Sequence, residues 1–232
     1  MTKFDRTRCC GWIVGIAMAI TSVAANADQM TRPAAGVTRI VFNTPGDLTI
    51  KPGTDEKLVV EAEAKVLAVL DITVKGDTMV LATKGPGFKT QKPVKFMLSI
   101  KSFRGLKTEA SGGSEVEGFA GSEADVELGG SGDIGLKNMK FARLAIVLKS
   151  AGNVKVSGSG KTVIARIDGS GNIDAASYQA QIVDAKLDGS GNIRVHADES
   201  LKATIGGAGN IEYKGKAKVT QTITGAGSVE RI

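Results

Sequence analysis

One short phrase recurs six times across the second half of this 232-residue chain, and its spacing leaves few folds open. It reads Gly130-Ser131-Gly132-Asp133-Ile134, Ser150-Ala151-Gly152-Asn153-Val154 and Gly169-Ser170-Gly171-Asn172-Ile173. It continues as Gly189-Ser190-Gly191-Asn192-Ile193, Gly207-Ala208-Gly209-Asn210-Ile211 and Gly225-Ala226-Gly227-Ser228-Val229. The central glycines, at 132, 152, 171, 191, 209 and 227, follow one another at steps of 20, 19, 20, 18 and 18 residues. Such a period means that each unit is one supersecondary turn, able to bury its apolar side only against its neighbours.

Overlaying the units from about residue 105 onward gives two alternating stretches per turn. After each phrase come Ile134/Leu136, Val154/Val156, Ile173/Ala175, Ile193/Val195 and Ile211/Tyr213. After a polar bend come Leu144/Ile146/Leu148, Val163/Ala165/Ile167, Ile182/Ala185/Leu187, Leu201/Ala203/Ile205 and Val219/Gln221/Ile223. Period two means strands with one face inward. Two strands per turn, with no room for a helix, predict an all-β, parallel β-solenoid (β-helix-like). The general rule for crossovers makes it right-handed. Leu106 to Gly113 reads as a first, degraded turn, with Gly113 in the glycine column.

The phrase itself is expected to be a corner. Glycine supplies positive φ there, and asparagine tolerates the left-handed region while bonding nearby backbone. Turns stack at about 4.8 Å, so each column of the overlay becomes a ladder. The expected corner ladder is Asp133, Asn153, Asn172, Asn192, Asn210 and Ser228, satisfying buried corner groups. The Ile or Val that follows turns into the core.

The first half is written differently. Residues 1–27 carry Lys3, Arg6 and Arg8, an apolar run from Gly11 to Ala24, and Ala25-Asn26-Ala27, which together spell a secretory signal peptide. The mature chain is expected to start at Asp28, with 28–36 a tail and 37–232 a single domain. Within that domain, 37–104 is a strand-rich N-terminal part and 105–232 the repeats. Pro45-Gly46-Asp47 and Lys51-Pro52-Gly53-Thr54 punctuate strands around Ile40, Leu48 and Val59. Lys65 to Val74 is read as part of a strand pair rather than a helix, because Ile72-Thr73-Val74 runs into a Lys75-Gly76-Asp77 turn and then Met79-Val80-Leu81. Gly85 to Pro93 reads as a loop, and Val94 to Ile100 as a strand.

Composition excludes several chemistries. Both cysteines, Cys9 and Cys10, precede the apolar run, so residues 28–232 contain none. Disulfides, thiolate metal sites and a cysteine nucleophile are excluded there. His196 is the single histidine, which leaves zinc and His-assisted catalysis little to work with. Removing the first 27 residues leaves 27 basic against 23 acidic side chains. No later stretch is long and apolar enough to span a membrane.

The repeated phrases, the strand-turn-strand opening and the Gly-containing loop resemble the head GIN domain of auto-transporter adhesins, over residues 37–232. The resemblance implies an all-β, solenoid-like exported protein of the bacterial envelope with adhesion as its activity, and it implies no catalytic residue. No coiled-coil stalk or membrane barrel follows the sixth phrase, so periplasmic, outer-surface and released locations all stay open.

Gly129-Gly130-Ser131-Gly132-Asp133 approaches a calcium-binding Gly-Gly-x-Gly-x-Asp repeat, but the carboxylate falls one place early and the nine-residue half-period is missing. No cofactor is expected, with weak calcium ligation by corner oxygens as the alternative. Asp168 and Asp188 share a column on neighbouring turns, at roughly the 5 Å spacing of a retaining glycosidase. A turn preference for aspartate explains them as well. His196 is expected to point outward into solvent; Tyr178 and Tyr213 are candidates for sugar stacking, with Tyr213 packing or covering a turn end as its other reading. The lysines and arginine at 84, 89, 92, 95, 101, 104 and 107 suit a solvated face or anionic glycans and headgroups. The expected function is a non-enzymatic adhesin-like binding or structural protein of the envelope. Its partners would be glycans, surface proteins or a second copy, not nucleic acid. A glycan-active enzyme and a periplasmic envelope-maintenance protein are the alternatives.

Overall fold

The computed structural model describes residues 28–232 except Pro86; the signal peptide expected over 1–27 lies outside the described residues. In chain order the strands begin with β1 (Asp28–Pro33), β2 (Arg39–Phe42), β3 (Asp47–Pro52) and β4 (Lys57–Ala62). A short helix α1 (Ala64–Leu67) precedes β5 (Leu70–Lys75), β6 (Thr78–Thr83) and β7 (Lys95–Ile100). Then come β8 (Gly105–Thr108), β9 (Ser114–Glu117), β10 (Ala120–Leu128) and β11 (Ile134–Leu148). The coil ends with β12 (Asn153–Ile167), β13 (Asn172–Leu187), β14 (Ile193–Ile205), β15 (Ile211–Lys214), β16 (Lys218–Ile223) and β17 (Val229–Arg231).

These strands form a parallel β-solenoid whose turns have two arms joined by a corner. The strand entering the corner is the second arm and the strand leaving it is the first arm. In β11 to β14 both arms merge into one long, bent strand, with register shifts at the bend such as the one between Leu136 and Met139. The first-arm ladder runs β1–β4–β7–β3–β9 and then through β11, β12, β13 and β14 to β15 and β17. The second-arm ladder runs β5–β6–β2–β8–β10 and on to β16.

Stack order departs from chain order at the beginning. The chain lays down β2 and β3 first, leaves through β4, α1 and β5, and returns with β6 and β7 on one side of them. It then crosses to β8 and β9 on the other side. The antiparallel strands β1, β4 and β5 close that end, and Val66 of α1 is fully buried there. The segment 28–36 is therefore not a free tail: β1 pairs along its whole length with β4, and Ala34 joins the core. Residues 65–74 divide: Lys65–Leu67 lie in the one-turn helix α1 instead of a strand, whereas β5 forms the expected strand pair with β6 across the Lys75-Gly76-Asp77 turn.

One continuous core runs from Ala34 to Ile211, built from the inward column of each arm. The overlay placed Ile182 in that column, whereas the inward residue is Val183, paired with Val163. Phe103 packs against Phe119 and Phe141, with ring centroids 5.5 and 6.5 Å apart. Tyr178 is fully buried instead of offering a sugar-stacking surface, and its hydroxyl donates to Phe141 O at 3.1 Å and accepts from Phe141 N at 3.3 Å.

Outward columns carry cross-rung ion pairs. Glu127 lies between Lys149 at 3.0 Å and Lys107 at 3.3 Å, and their ammonium groups hold its carboxyl below its ordinary range. Glu56 is lowered by Lys101, and Asp77 by the Thr38 hydroxyl. Depressed carboxylates contribute stability above their unfolded pKa and lose it as pH falls through the folded value. Thermal stability should therefore hold from neutrality down to about pH 5 and decline below about pH 4. Added salt should shrink that decline, which a series of melting curves would measure.

Candidate functional site: the corner ladder and its outer face

Each corner is tight because two glycine columns stack directly along the coil. A Cβ on Gly132, Gly152, Gly171, Gly191, Gly209 or Gly227 would overlap the carbonyl oxygen of the equivalent glycine one rung before. The flanking glycines do the same: Gly189 sits on Gly169 O, Gly207 on Gly189 O and Gly225 on Gly207 O. Among the central glycines of the six phrases, only Gly209 has a positive φ. The requirement is thus close approach of successive backbones, not the left-handed conformation expected from the sequence. The column also continues to Gly112 rather than Gly113, since Gly132 rests on Gly112 O.

The side chain after each central glycine points outward, and these six residues meet in one line. Asp133 Oδ1 accepts from Asn153 N at 2.8 Å and from Asn153 Nδ2 at 3.0 Å. Asn172 Nδ2 donates to Asn153 Oδ1 at 3.0 Å, and Asn172 Oδ1 accepts from Asn192 N at 3.0 Å and Asn192 Nδ2 at 3.2 Å. Asn192 Oδ1 accepts from Asn210 N at 3.1 Å, and Asn210 Oδ1 from both Ser228 N and Ser228 Oγ at 3.0 Å. The asparagine backbones are tied the other way, with Ile173 N donating to Asn192 O and Ile193 N to Asn210 O, each at 3.0 Å.

The ladder differs from its expected form in two respects. None of the asparagines has a positive φ, and Asp133, Asn153, Asn172 and Asn192 are exposed, not buried. It also has a member that the repeat concealed: Asp47, where Gly113 N donates to Asp47 Oδ1 at 3.0 Å, in the geometry Asp133 uses for Asn153. The proline-glycine turn ahead of Asp47 hid that rung. Replacing Asn172 with Ala removes the acceptor for the next rung's backbone N–H, which water replaces because the site is exposed. The cost should be about 0.5–1.5 kcal/mol, measured by denaturant unfolding.

Beside the ladder on the first-arm face lies a column of charges. Gly135, Lys155, Asp174, Arg194, Glu212 and Glu230 occupy successive rungs. Arg194 Nε bonds Glu212 Oε2 at 2.7 Å. Between amides and charges runs a shallow groove of about 540 Å³, lined by Asn153, Lys155, Asn172, Asp174, Arg194 and Glu212 among others. Asp133 Oδ1 and the Oδ1 of each asparagine from Asn153 to Asn210 accept an N–H from the next rung.

The other candidates fall elsewhere. Asp168 and Asp188 sit on neighbouring corners, and Asp188 is held by Lys186 at 2.6 Å. His196 is half-buried, not freely solvated, with Nε2 3.1 Å from Asp198 Oδ1. Tyr213 packs against the core near the last rung. In the basic stretch, Lys101 pairs with Glu56, Arg104 with Glu123 and Lys107 with Glu127.

Residues 37–217 match the family described as "Putative auto-transporter adhesin, head GIN domain". The chain belongs to this family. A "putative adhesin" from Bacteroides fragilis is 24% identical with a TM-score of 0.80, covering 88% of this chain and 97% of its own. A "putative lipid binding protein" from Parabacteroides distasonis is 21% identical with a TM-score of 0.75, covering 90% and 98%. A further "putative adhesin" from Parabacteroides merdae is 19% identical with a TM-score of 0.67, covering 90% and 97%. At these identities the likeness shows the GIN-domain fold. No curated protein matches the sequence.

Proposed function

We propose that this GIN-domain chain is an exported, non-enzymatic adhesin-like protein that lays an extended glycan along the outer face of its corner ladder. The observation that carries the reading is repetition at rung spacing. From Asn153 to Asn210 each turn presents one outward amide and, beside it, one charge. Rungs repeat at about 4.8 Å, close to the advance per residue of an extended pyranose chain. Each Asn amide from 153 to 192 uses one Nδ2 hydrogen within the ladder, which leaves the other for a sugar hydroxyl. Lys155 and Arg194 add cations for acidic sugars. Adhesin names in the family and among its structural neighbours agree with binding rather than turnover. Export is inferred from the signal-peptide pattern of residues 1–27, and among the described residues no helix is long and apolar enough to cross a membrane.

The test is an array of bacterial and host glycans probed with residues 28–232, with and without a calcium chelator. Binding that survives the chelator and releases no product is expected. A silent array, or hydrolysis of a bound glycan, would sink the proposal.

A further inference from the structure

The two ends of the coil are finished differently. At the start, the outermost strands carry residues that discourage further pairing: Asp28, Arg32 and Pro33 in β1, Asp71 and Lys75 in β5. At the other end, β16 is the outermost second-arm strand, and among the described residues it pairs with β14 alone. Its stretch Val219-Thr220-Gln221-Thr222-Ile223 has no charge, proline or glycine, and every residue except Gln221 is β-branched. Its inward column is also uncovered. Leu201 and Ile205 on the preceding rung are buried, whereas Ile223 is 40% exposed and Gln221 is exposed.

We propose that β16 pairs antiparallel with β16 of a second copy of this chain, about a two-fold axis at Gln221. Backbone alternation and core face set odd residues against odd residues, and overlap of the whole Val219–Ile223 stretch centres the pairing on Gln221. Thr224 N donates to Ile205 O at 2.9 Å, so by the alternation of a ladder Val219, Gln221 and Ile223 turn their N–H and C=O to the free side. The same three residues share the core face, because they stand opposite Leu201, Ala203 and Ile205. Centring on Gln221 sets Val219 against the partner's Ile223 and Gln221 against the partner's Gln221, each pair exchanging both backbone bonds. The Val219–Ile223 pairs extend the core across the junction, and Thr220 meets the partner's Thr222 on the outer face. No like charges meet, and Lys218 falls opposite the partner's Thr224. The sequence Val-Thr-Gln-Thr-Ile is nearly the same read in either direction, so in an isologous contact each residue meets one of its own kind.

The test uses residues 28–232 in equilibrium sedimentation. The wild type should be a monomer–dimer system. Gln221→Pro removes an N–H that faces the free side and leaves the bonds to β14 intact, so it should keep the wild-type circular dichroism. It should also weaken dimerisation at least tenfold. Gln221→Cys, in a chain otherwise free of cysteine from residue 28, should oxidise to a disulfide-linked dimer, while Val74→Cys at the opposite end should not. A wild type that stays monomeric at every concentration would overturn the proposal. So would a dimer indifferent to Gln221→Pro, or a Gln221→Cys chain that fails to cross-link.

Discussion

Gly191→Ala should destabilise the coil by about 3 kcal/mol or more, with a melting temperature lower by roughly 10 °C. The added methyl would fall on Gly171 O, a backbone atom fixed by its own rung, so neither a side-chain rotation nor a local shift relieves the overlap. The whole corner has to separate, and with it the Asn172–Asn192 bonds outside and the Ile173–Ile193 contact inside. Gly135→Ala is the matched control. Its Cβ would meet only the Glu115 side chain, at 3.6 Å, and its backbone is ordinary strand. That change should be neutral or stabilising by up to about 1 kcal/mol. Equal losses at the two sites in denaturant unfolding would show that the corner columns do not limit the fold.

Tyr178→Ala carries the other large expected effect, about 3–5 kcal/mol from the cavity left in the middle of the coil. Tyr178 reaches across rungs to Phe141, and a Cβ on Gly160 would collide with its hydroxyl. Tyr178→Phe keeps the ring and removes the bonds to the Phe141 backbone, at about 1–2 kcal/mol. The difference between the two variants therefore measures ring packing separately from the hydroxyl. Burial pushes the phenol pKa up, and Glu115 and Glu127 push up Lys137 and Lys107. Groups whose folded pKa is raised contribute stability below the unfolded value and lose it as pH rises. Wild-type stability should fall above about pH 10, and Tyr178→Phe should fall less steeply there.

The period of the phrases and the two-residue alternation made the solenoid legible, because a stacked coil writes its columns into the sequence. The six ladder residues could be named for the same reason. Other features were hidden by physics that a single strand of text does not carry. The glycines looked like conformational devices, whereas contact between rungs is what excludes a side chain from Gly132 or Gly191. The stacking of β2 between β6 and β8, and of β3 between β7 and β9, depends on a chain reversal that leaves no periodic trace. Val66 plugs the coil end through four helical residues, too few for a helical period to show. Tyr178, a sugar-stacking candidate from the sequence, is core, and nothing in the sequence marks which way an aromatic residue at a bend turns. The charge column beside the ladder was present all along, as Lys155, Asp174, Arg194 and Glu212. Its meaning depends on register across turns, and only the structure fixes that.

The most direct measurement is the glycan array probed in parallel with the wild type and with Lys155→Ala/Arg194→Ala, both from residue 28. These side chains are outward and outside the core, so the fold should be kept and circular dichroism should match. If the ladder face is the recognition surface, the double variant loses at least about tenfold in affinity for every acidic glycan that the wild type binds. Undiminished binding of acidic glycans by the double variant would place recognition elsewhere on the coil and contradict the account.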